Sequence, residues 1–169
     1  IGIPLTIGLA WAHYADLVKM DNAFGVQLTS KALVGWNFGT VAQKFDFETW
    51  RLVLWERGLV WNAGGLLGML LLLLPWLSGR EHRRLAWLSL LSLGLFVLPV
   101  LIFTNVHIRH EYYQVACVAF LLAALSIVIG GWLESATGVR LLAPVMTVAI
   151  IISNMIFFNS SYGIVAARS

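Results

Sequence analysis

The sequence predicts an all-α membrane protein, a polytopic integral membrane helical bundle with an extracytoplasmic loop that contains short interfacial helices. Hydrophobic residues make up 60% of the 169 residues and charged residues only 11%, whereas soluble domains average about 45–50% and about 25%. Mean hydropathy is +0.85. In addition, four stretches approach the roughly 20 apolar residues that a helix needs to cross the hydrocarbon core.

The apolar stretches place the helices along the chain. Residues 1–11 are too short for a span and predict the exit end of one that begins upstream. The predicted complete spans are 59–77, 85–104, 115–133 and 141–158. Asn62 and Asn154 lie inside spans, where an amide side chain typically hydrogen-bonds to a neighbouring helix.

The charges in the short loops predict sidedness. Three arginines fall within residues 80–84, and loops rich in Arg and Lys stay in the cytoplasm. The connector 134–140 is then cytoplasmic as well. Alternation puts 12–58, 105–114 and the tail 159–169 on the outer side.

The outer segment 12–58 is too long for a simple turn, and loops of this length usually carry structure or function. Phe47, Trp50 and Leu54 recur at helical spacing behind Asp46, which predicts a helix lying in the interface before the chain enters the membrane. Upstream, the glycines and aromatic residues of 35–40 predict a tight turn that presents its rings at headgroup level.

Composition and motifs exclude several functions. A net charge of +3 is too small for a nucleic-acid footprint. The single cysteine, Cys117, permits neither a disulfide framework nor a cysteine-based metal site. The sequence has no phosphate-binding glycine loop, no Gly-x-Ser-x-Gly elbow and no His-Glu-x-x-His helix.

A dense polar cluster interrupts the apolar pattern at 104–114. Ionisable residues at the edge of a membrane are costly unless they are paired or used, so the cluster predicts a functional site. The alternative is a solvated turn with interfacial tyrosines. A divalent metal held by His107, His110 and Glu111 is a weaker alternative, and we predict no metal and no other cofactor.

Two parts of the chain resemble a known family. The first is Trp11-Ala12-His13-Tyr14-Ala15-Asp16, together with Trp36-Asn37-Phe38-Gly39-Thr40. The second is His110-Glu111-Tyr112-Tyr113-Gln114. Both resemble polytopic C-type glycosyltransferases, the family of protein O-mannosyltransferases and the lipid A aminoarabinose transferase, in which a His-x-Tyr-Tyr run commonly opens a C-terminal transmembrane hairpin.

The resemblance implies a central-to-C-terminal piece of a multi-pass enzyme of the bacterial inner (plasma) membrane. Its partners would be membrane lipids, a polyprenyl-phosphate-sugar donor and a glycan, lipid or protein acceptor, with transfer on the extracytoplasmic face. The chain departs from the family in one respect. The acidic general base of the family lies in a first outer loop that has no counterpart here, so the catalytic residue is unknown and is expected outside this chain.

The resemblance also implies roles for residues of the cluster. Arg109, with His107 or His110 beside it, would stabilise the phosphate that leaves in the reaction. Tyr112 and Tyr113 would hydrogen-bond to phosphate or sugar, and Glu111 would orient His110 or accept from a sugar hydroxyl. Candidates of second rank in the outer loop are His13, Tyr14, Asp16 and Lys19.

Two other functions are compatible with the sequence. A transporter or flippase of lipid-linked intermediates would also place polar groups at the membrane boundary. Transporters, however, tend to carry polar residues and broken helices near the midplane, and the span centres here are almost purely apolar. A non-catalytic scaffold subunit is the third possibility.

Overall fold

The computed structural model describes residues 2–77, 82–134 and 139–163, and every regular element in these ranges is helical. The predicted all-α class is therefore confirmed. The α-helices are α1 (Gly2–Met20), α2 (Val34–Phe38), α3 (Val41–Phe45), α4 (Phe47–Ala63), α5 (Leu66–Leu77), α6 (Arg83–Ile102), α7 (Thr104–Arg109), α8 (Gln114–Leu133) and α9 (Val139–Phe158). Within α4, Arg51–Val60 has the wider π-helical turn. Short 3-10 helices occupy Gly25–Leu28 and Glu111–Tyr113.

Three helical segments of the described chain are long and apolar enough to cross a membrane. They are Arg83–Ile102, Glu111–Leu133 and Arg140–Ser161, and α4 with α5 qualifies as a fourth if the bent pair counts as one span. The predicted helices at 115–133 and 141–158 agree with α8 and α9. The predicted helix at 85–104 is displaced, because α6 ends at Ile102 and Thr104 already belongs to α7.

The predicted span at 59–77 is not one continuous helix, and whether it crosses a membrane stays a prediction. Helices α4 and α5 meet at a bend of 94°. The bend lies at Gly64 and Gly65, whose φ angles of 69° and 63° suit glycine far better than other residues. A Cβ on Gly64 would lie 3.3 Å from the Cα of Ile150, so the bend also lets α9 approach closely.

Replacing Gly64 by alanine is expected to destabilise the protein. An alanine at positive φ costs roughly 1–2 kcal/mol, and the close approach of Ile150 adds to this cost. The control is Gly94→Ala in α6, where an added Cβ meets nothing within 4 Å. Denaturation in detergent should show a lower unfolding free energy for Gly64→Ala only, and equal effects of the two substitutions would contradict the role given to the bend.

Helix α8 forms the centre of the packing and lies mainly against α6 and α9. Leu121, Ala124, Val128 and Trp132 are buried and recur at intervals of three and four residues, so they share one face. The core that they enter also receives Leu71, Phe96 and Ile150 from α5, α6 and α9. Most other large apolar side chains of α6 and α9 are exposed.

The first helix continues past the predicted exit at Trp11 and ends only at Met20. No glycine or proline interrupts residues 12–20, and Asp16 and Lys19 form a 3.7 Å ion pair one turn apart. The predicted outer segment therefore begins within a helix, and the exit of the chain from a span at Trp11 stays a prediction. Helix α1 packs against the 3-10 helix Gly25–Leu28.

The rest of the predicted outer segment alternates short helices with turns, which cover 21–24 and 29–33. A tight turn was predicted over 35–40, but the turn is confined to the end of this range. Helix α2 extends to Phe38, and the chain turns at Gly39, where φ is 70°. The chain is helical from Phe47 onward, as predicted, and the position of this helix in the membrane interface stays a prediction. The Asp46 carboxylate caps it by accepting a 2.9 Å hydrogen bond from the backbone N–H of Thr49.

Parts of three predicted loops lie outside the described residues. These parts are 78–81 of the arginine-rich connector, 135–138 of the second connector and 164–169 of the tail. The sidedness of the chain stays a prediction.

Candidate functional site

The polar cluster is built on a short helix rather than on a turn. Helix α7 covers Thr104–Arg109, and its first four residues are buried. The hydroxyl of Thr104 donates to the carbonyls of Val100 and Leu101, both at 3.0 Å, at the end of α6. The alternative of a solvated turn is therefore wrong for 104–107, while Arg109 and the 3-10 helix Glu111–Tyr113 are exposed.

The outer segment is fastened to the junction of α6 and α7. The ammonium of Lys44 donates to the carbonyl of Ile102 at 3.2 Å and to the hydroxyl of Thr104 at 2.9 Å. A cation is favourable at the C-terminal end of a helix, where the last carbonyls lack partners. Nearby, Gln43 donates to the side chain of Asn105 at 3.1 Å, and Asn105 donates to the carbonyl of Trp36 at 2.7 Å. These bonds hold α2 and α3 beside the cluster.

Arg57 is a candidate site residue that the sequence did not indicate. It lies in the π-helical part of α4, and its Nη1 donates to the carbonyls of His107 at 2.6 Å and Ile108 at 3.2 Å. Its Nε is buried without a hydrogen-bond partner, and none of the ion pairs among the described residues includes it. A half-buried guanidinium with no carboxylate partner favours the binding of an anion.

Arg57 opens onto a cavity of about 340 Å³, which we call the arginine cavity. Its lining residues are Arg57, Trp61, Asn62, Glu111, Tyr112, Gln114, Val115 and Val118. Gln114 is buried; its amide donates to the carbonyl of Val53 at 3.1 Å, while its Oε1 has no partner in the described chain. The cavity is therefore lined by a cation, by the carboxylate of Glu111 and by two residues, Arg57 and Gln114, that carry buried atoms without hydrogen-bond partners in the described chain.

A larger cavity of about 890 Å³, the apolar cleft, lies between the end of α4 and the end of α9. It is lined by Trp61, Asn62, Ile151, Asn154, Met155, Ile156, Phe157, Phe158 and Asn159. Trp61 and Asn62 line the arginine cavity as well, so the two cavities adjoin. A ligand could place an apolar chain in one and a charged group in the other.

Asn154 holds the wall of the apolar cleft in place. Its Oδ1 accepts from the backbone N–H of Gly64 at 3.0 Å, and its Nδ2 donates to the carbonyl of Asn62 at 3.1 Å. The predicted hydrogen bond between helices is thus confirmed for Asn154. For Asn62 the prediction is wrong, because its amide donates to the carbonyls of Arg57 and Gly58 in its own helix.

A third cavity, of about 350 Å³, lies on the other side of the cluster and is here called the histidine cavity. It is lined by Asn37, Pro99, Phe103, Val106, His107, Tyr113 and Cys117. His107 is only 3% exposed, and its Nδ1 has no hydrogen-bond partner among the described residues. Burial and, to a smaller extent, the charge of Arg57 lower the pKa of His107, so the imidazole is neutral at pH 7.

The aromatic residues of the predicted cluster are brought together. The ring of His110 lies 6.0 Å from that of Trp36, 5.2 Å from that of Tyr112 and 5.9 Å from that of Tyr113. The two tyrosine rings are 4.6 Å apart, and Tyr113 also meets His107 edge-on at 6.4 Å. Arg109, in contrast, is exposed and lines none of the three cavities.

The metal alternative has no support in the described part of the chain, where no three His, Cys, Asp or Glu side chains come together in a way that could hold an ion. The reason is the 3-10 helix Glu111–Tyr113. It directs Glu111 to the arginine cavity, while His107 lines the histidine cavity.

The second-rank candidates on α1 are engaged in their own segment. Lys19 donates to the carbonyl of Leu28 at 2.8 Å, and Asp16 accepts from the backbone N–H of Ser30 at 2.9 Å. The latter bond lowers the pKa of Asp16. Tyr14 packs on Trp11 with ring centroids 6.0 Å apart, and His13 is exposed. Substrate binding by His13, Tyr14 and Lys19 stays a prediction.

No protein-family model, curated protein or solved structure matches this chain. The resemblance to C-type glycosyltransferases therefore rests on the short motifs alone.

Proposed function

We propose that this chain belongs to an integral-membrane glycosyltransferase and binds a polyprenyl-phosphate-linked sugar, from which the sugar passes to an acceptor on the extracytoplasmic face. The observation that carries the proposal is Arg57, a half-buried guanidinium without an ion-pair partner among the described residues, in a cavity that adjoins the apolar cleft. A lipid phosphate has the same two parts, an anion and an apolar chain.

The lining residues of the two cavities match the two parts of such a ligand. The isoprenoid chain lies along Ile151, Met155 and Phe158 in the apolar cleft. Its phosphate meets Arg57, whose Nη1 is held by two backbone carbonyls while Nε has no partner in the described chain. Because a guanidinium presents several donors in a fixed plane, it suits phosphate recognition better than an ammonium group.

The same arrangement suits the chemistry of transfer. When the acceptor oxygen attacks the anomeric carbon, the bond to the phosphate oxygen breaks, and negative charge develops on the leaving polyprenyl phosphate. A preorganised cation in a site of low polarity stabilises this charge. The geometry favours Arg57 for this role over Arg109, which the sequence had suggested. Glu111, in the same cavity, is placed to accept from a sugar hydroxyl. The acceptor proton passes to a carboxylate base, as the resemblance to C-type glycosyltransferases implies.

The proposal includes a multi-pass arrangement in the bacterial inner membrane, with the exposed apolar faces of α6 and α9 against lipid. In it, α2 and α3 are interfacial helices of the outer loop. The lining residues of the apolar cleft and the arginine cavity come from helix ends, within 57–62, 111–118 and 151–159, whereas the middle of α8 is filled by packed apolar side chains. A site at one end of a filled bundle favours transfer at a surface over transport through it.

Binding of short lipid analogues tests the proposal directly. The protein in nanodiscs is expected to bind farnesyl phosphate at least tenfold more tightly than farnesol, because a hydrogen bond to a charged group contributes about 1.5–3 kcal/mol. Raising the salt concentration should reduce the difference in affinity between farnesyl phosphate and farnesol. Dodecyl sulfate is avoided as a detergent because it would compete for the site. Equal affinities for farnesyl phosphate and farnesol would overturn the proposal.

A further inference from the structure

The histidine cavity contrasts with the arginine cavity in charge. Its polar lining groups are the amide of Asn37, the imidazole of His107 and the hydroxyl of Tyr113, and none carries a charge at pH 7. The other lining groups are apolar or aromatic, among them the ring of Phe103. A volume of about 350 Å³ is at the lower end for small-molecule sites and accommodates a single ring rather than an extended chain.

His107 carries an unused hydrogen-bonding capacity in this cavity. In a neutral imidazole one nitrogen donates and the other accepts. A hydroxyl group complements Nδ1 in either tautomer, because a hydroxyl both donates and accepts. Nδ1 of His107 has no hydrogen-bond partner in the described chain, so a rotation about χ2 that turns Nδ1 toward an entering hydroxyl breaks no hydrogen bond of this atom.

The histidine cavity is also linked to the proposed phosphate site. The Nη1 of Arg57 donates to the backbone carbonyl of His107 itself, at 2.6 Å. Along the 3-10 helix, Glu111 and Tyr112 line the arginine cavity, while Tyr113 lines the histidine cavity. One short helix therefore separates a cationic site from an uncharged one.

We infer that the histidine cavity binds the uncharged pyranose ring of a sugar, with His107 and Asn37 hydrogen-bonding to its hydroxyls and the ring of Phe103 packing against its C–H groups. This inference rests on the proposed function and extends it, since the sugar comes either from the lipid-linked donor or from a glycan acceptor. Both sources present the same neutral, hydroxylated ring.

Cys117 provides a natural reporter for this site, because it lines the histidine cavity and is the single cysteine of the chain. Its rate of modification by N-ethylmaleimide is measured in nanodiscs with saturating farnesyl phosphate, farnesyl-phosphoryl hexose, a panel of neutral methyl pyranosides or a methyl glucuronide. We expect labelling to slow at least fivefold, relative to farnesyl phosphate, with farnesyl-phosphoryl hexose for a donor sugar or with a neutral pyranoside for an acceptor glycan. The charged glucuronide is expected to protect less than the neutral pyranosides.

The arms of the experiment distinguish the two sources. Protection only by the glycosylated lipid identifies the donor sugar, whereas protection by free pyranosides identifies an acceptor glycan. Equal protection by farnesyl phosphate and its glycosylated form, together with an unchanged labelling rate with every free pyranoside, would overturn the inference. Failure of farnesyl phosphate to bind at all is a separate result that overturns the proposed phosphate site, and the free pyranosides still test the histidine cavity.

Two variants and a control position complete the design. His107→Phe keeps an aromatic ring but removes the hydrogen bond, and Asn37→Ala changes a residue of the outer segment without altering the helix core. Each should reduce protection by the sugar at least threefold while the affinity for farnesyl phosphate stays within twofold. Leu91→Cys in a Cys117→Ala background lies on an exposed face of α6, and no ligand should alter its labelling. Full protection in both variants would overturn the assignment of His107 and Asn37.

Discussion

Replacing Arg57 by glutamine is expected to reduce sugar transfer on the order of 10²–10³-fold, the effect of removing one preorganised donor from a developing oxyanion. The affinity for farnesyl phosphate should fall by about tenfold or more, because a hydrogen bond to a charged group is lost. Glutamine is preferred to alanine because its amide can still donate to the carbonyl of His107, which Arg57 holds at 2.6 Å. Turnover is measured as release of polyprenyl phosphate by membranes that contain the complete protein.

The matched control is Arg109→Gln. It removes the same charge from the exposed end of α7, where surface substitutions usually change stability by no more than about 0.5 kcal/mol. Arg57→Lys adds a second test, since it keeps the charge but loses the planar fork, and its activity should fall between those of Arg57→Gln and the wild type. A larger loss of turnover in Arg109→Gln than in Arg57→Gln would indicate that the phosphate binds at Arg109, as the sequence suggested.

Arg109 and Arg57 differ in how well the sequence predicts their surroundings. Arg109 stands among other ionisable groups at the edge of an apolar stretch, and this pattern predicts a site. Arg57 lies in a segment that reads as an outer loop, beside Glu56, and its partners are backbone carbonyls 50 and 51 residues further along the chain. Backbone carbonyls have no sequence signature, so this contact could not be predicted.

The helices themselves were largely predictable, because burial of apolar side chains and satisfaction of backbone hydrogen bonds both favour helices in apolar segments. Helices α8 and α9 agree with the hydropathy pattern to within two residues. The bend between α4 and α5 escaped prediction, since average hydropathy does not register backbone conformation. The adjacent Gly64 and Gly65 were the available signal.

The cluster at 104–114 was predictable from the sequence in one respect and not in another. Its importance could be predicted from the cost of placing ionisable groups against apolar helices. Its division into an arginine cavity and a histidine cavity could not, because the division depends on the 3-10 helix Glu111–Tyr113, which directs neighbouring residues to different cavities.

Asn154→Leu is the second substitution with a large expected effect. Leucine keeps the branching of the side chain but leaves the N–H of Gly64 and the carbonyl of Asn62 without the partners that lie at 3.0 and 3.1 Å. Polar contacts between membrane helices average only about 0.6 kcal/mol, because the released groups often find other partners. The N–H of Gly64 has no other hydrogen-bond partner in the described chain, since it lies at the 94° bend where α4 has ended.

We therefore expect the unfolding free energy of Asn154→Leu to fall by about 2 kcal/mol, within the range for a buried polar group left unsatisfied. Because Asn154 also lines the apolar cleft, separation of α9 from the bend should weaken binding of farnesyl phosphate and farnesol alike. This pattern distinguishes it from Arg57→Gln, which should weaken only the phosphate. Asn159→Leu, the same change at an exposed lining residue of the cleft, is the control for added apolar surface. If the two leucine variants unfold with equal free energy, the hydrogen bonds of Asn154 do not hold α9 against the bend, and the shape of the cleft must depend on apolar packing instead.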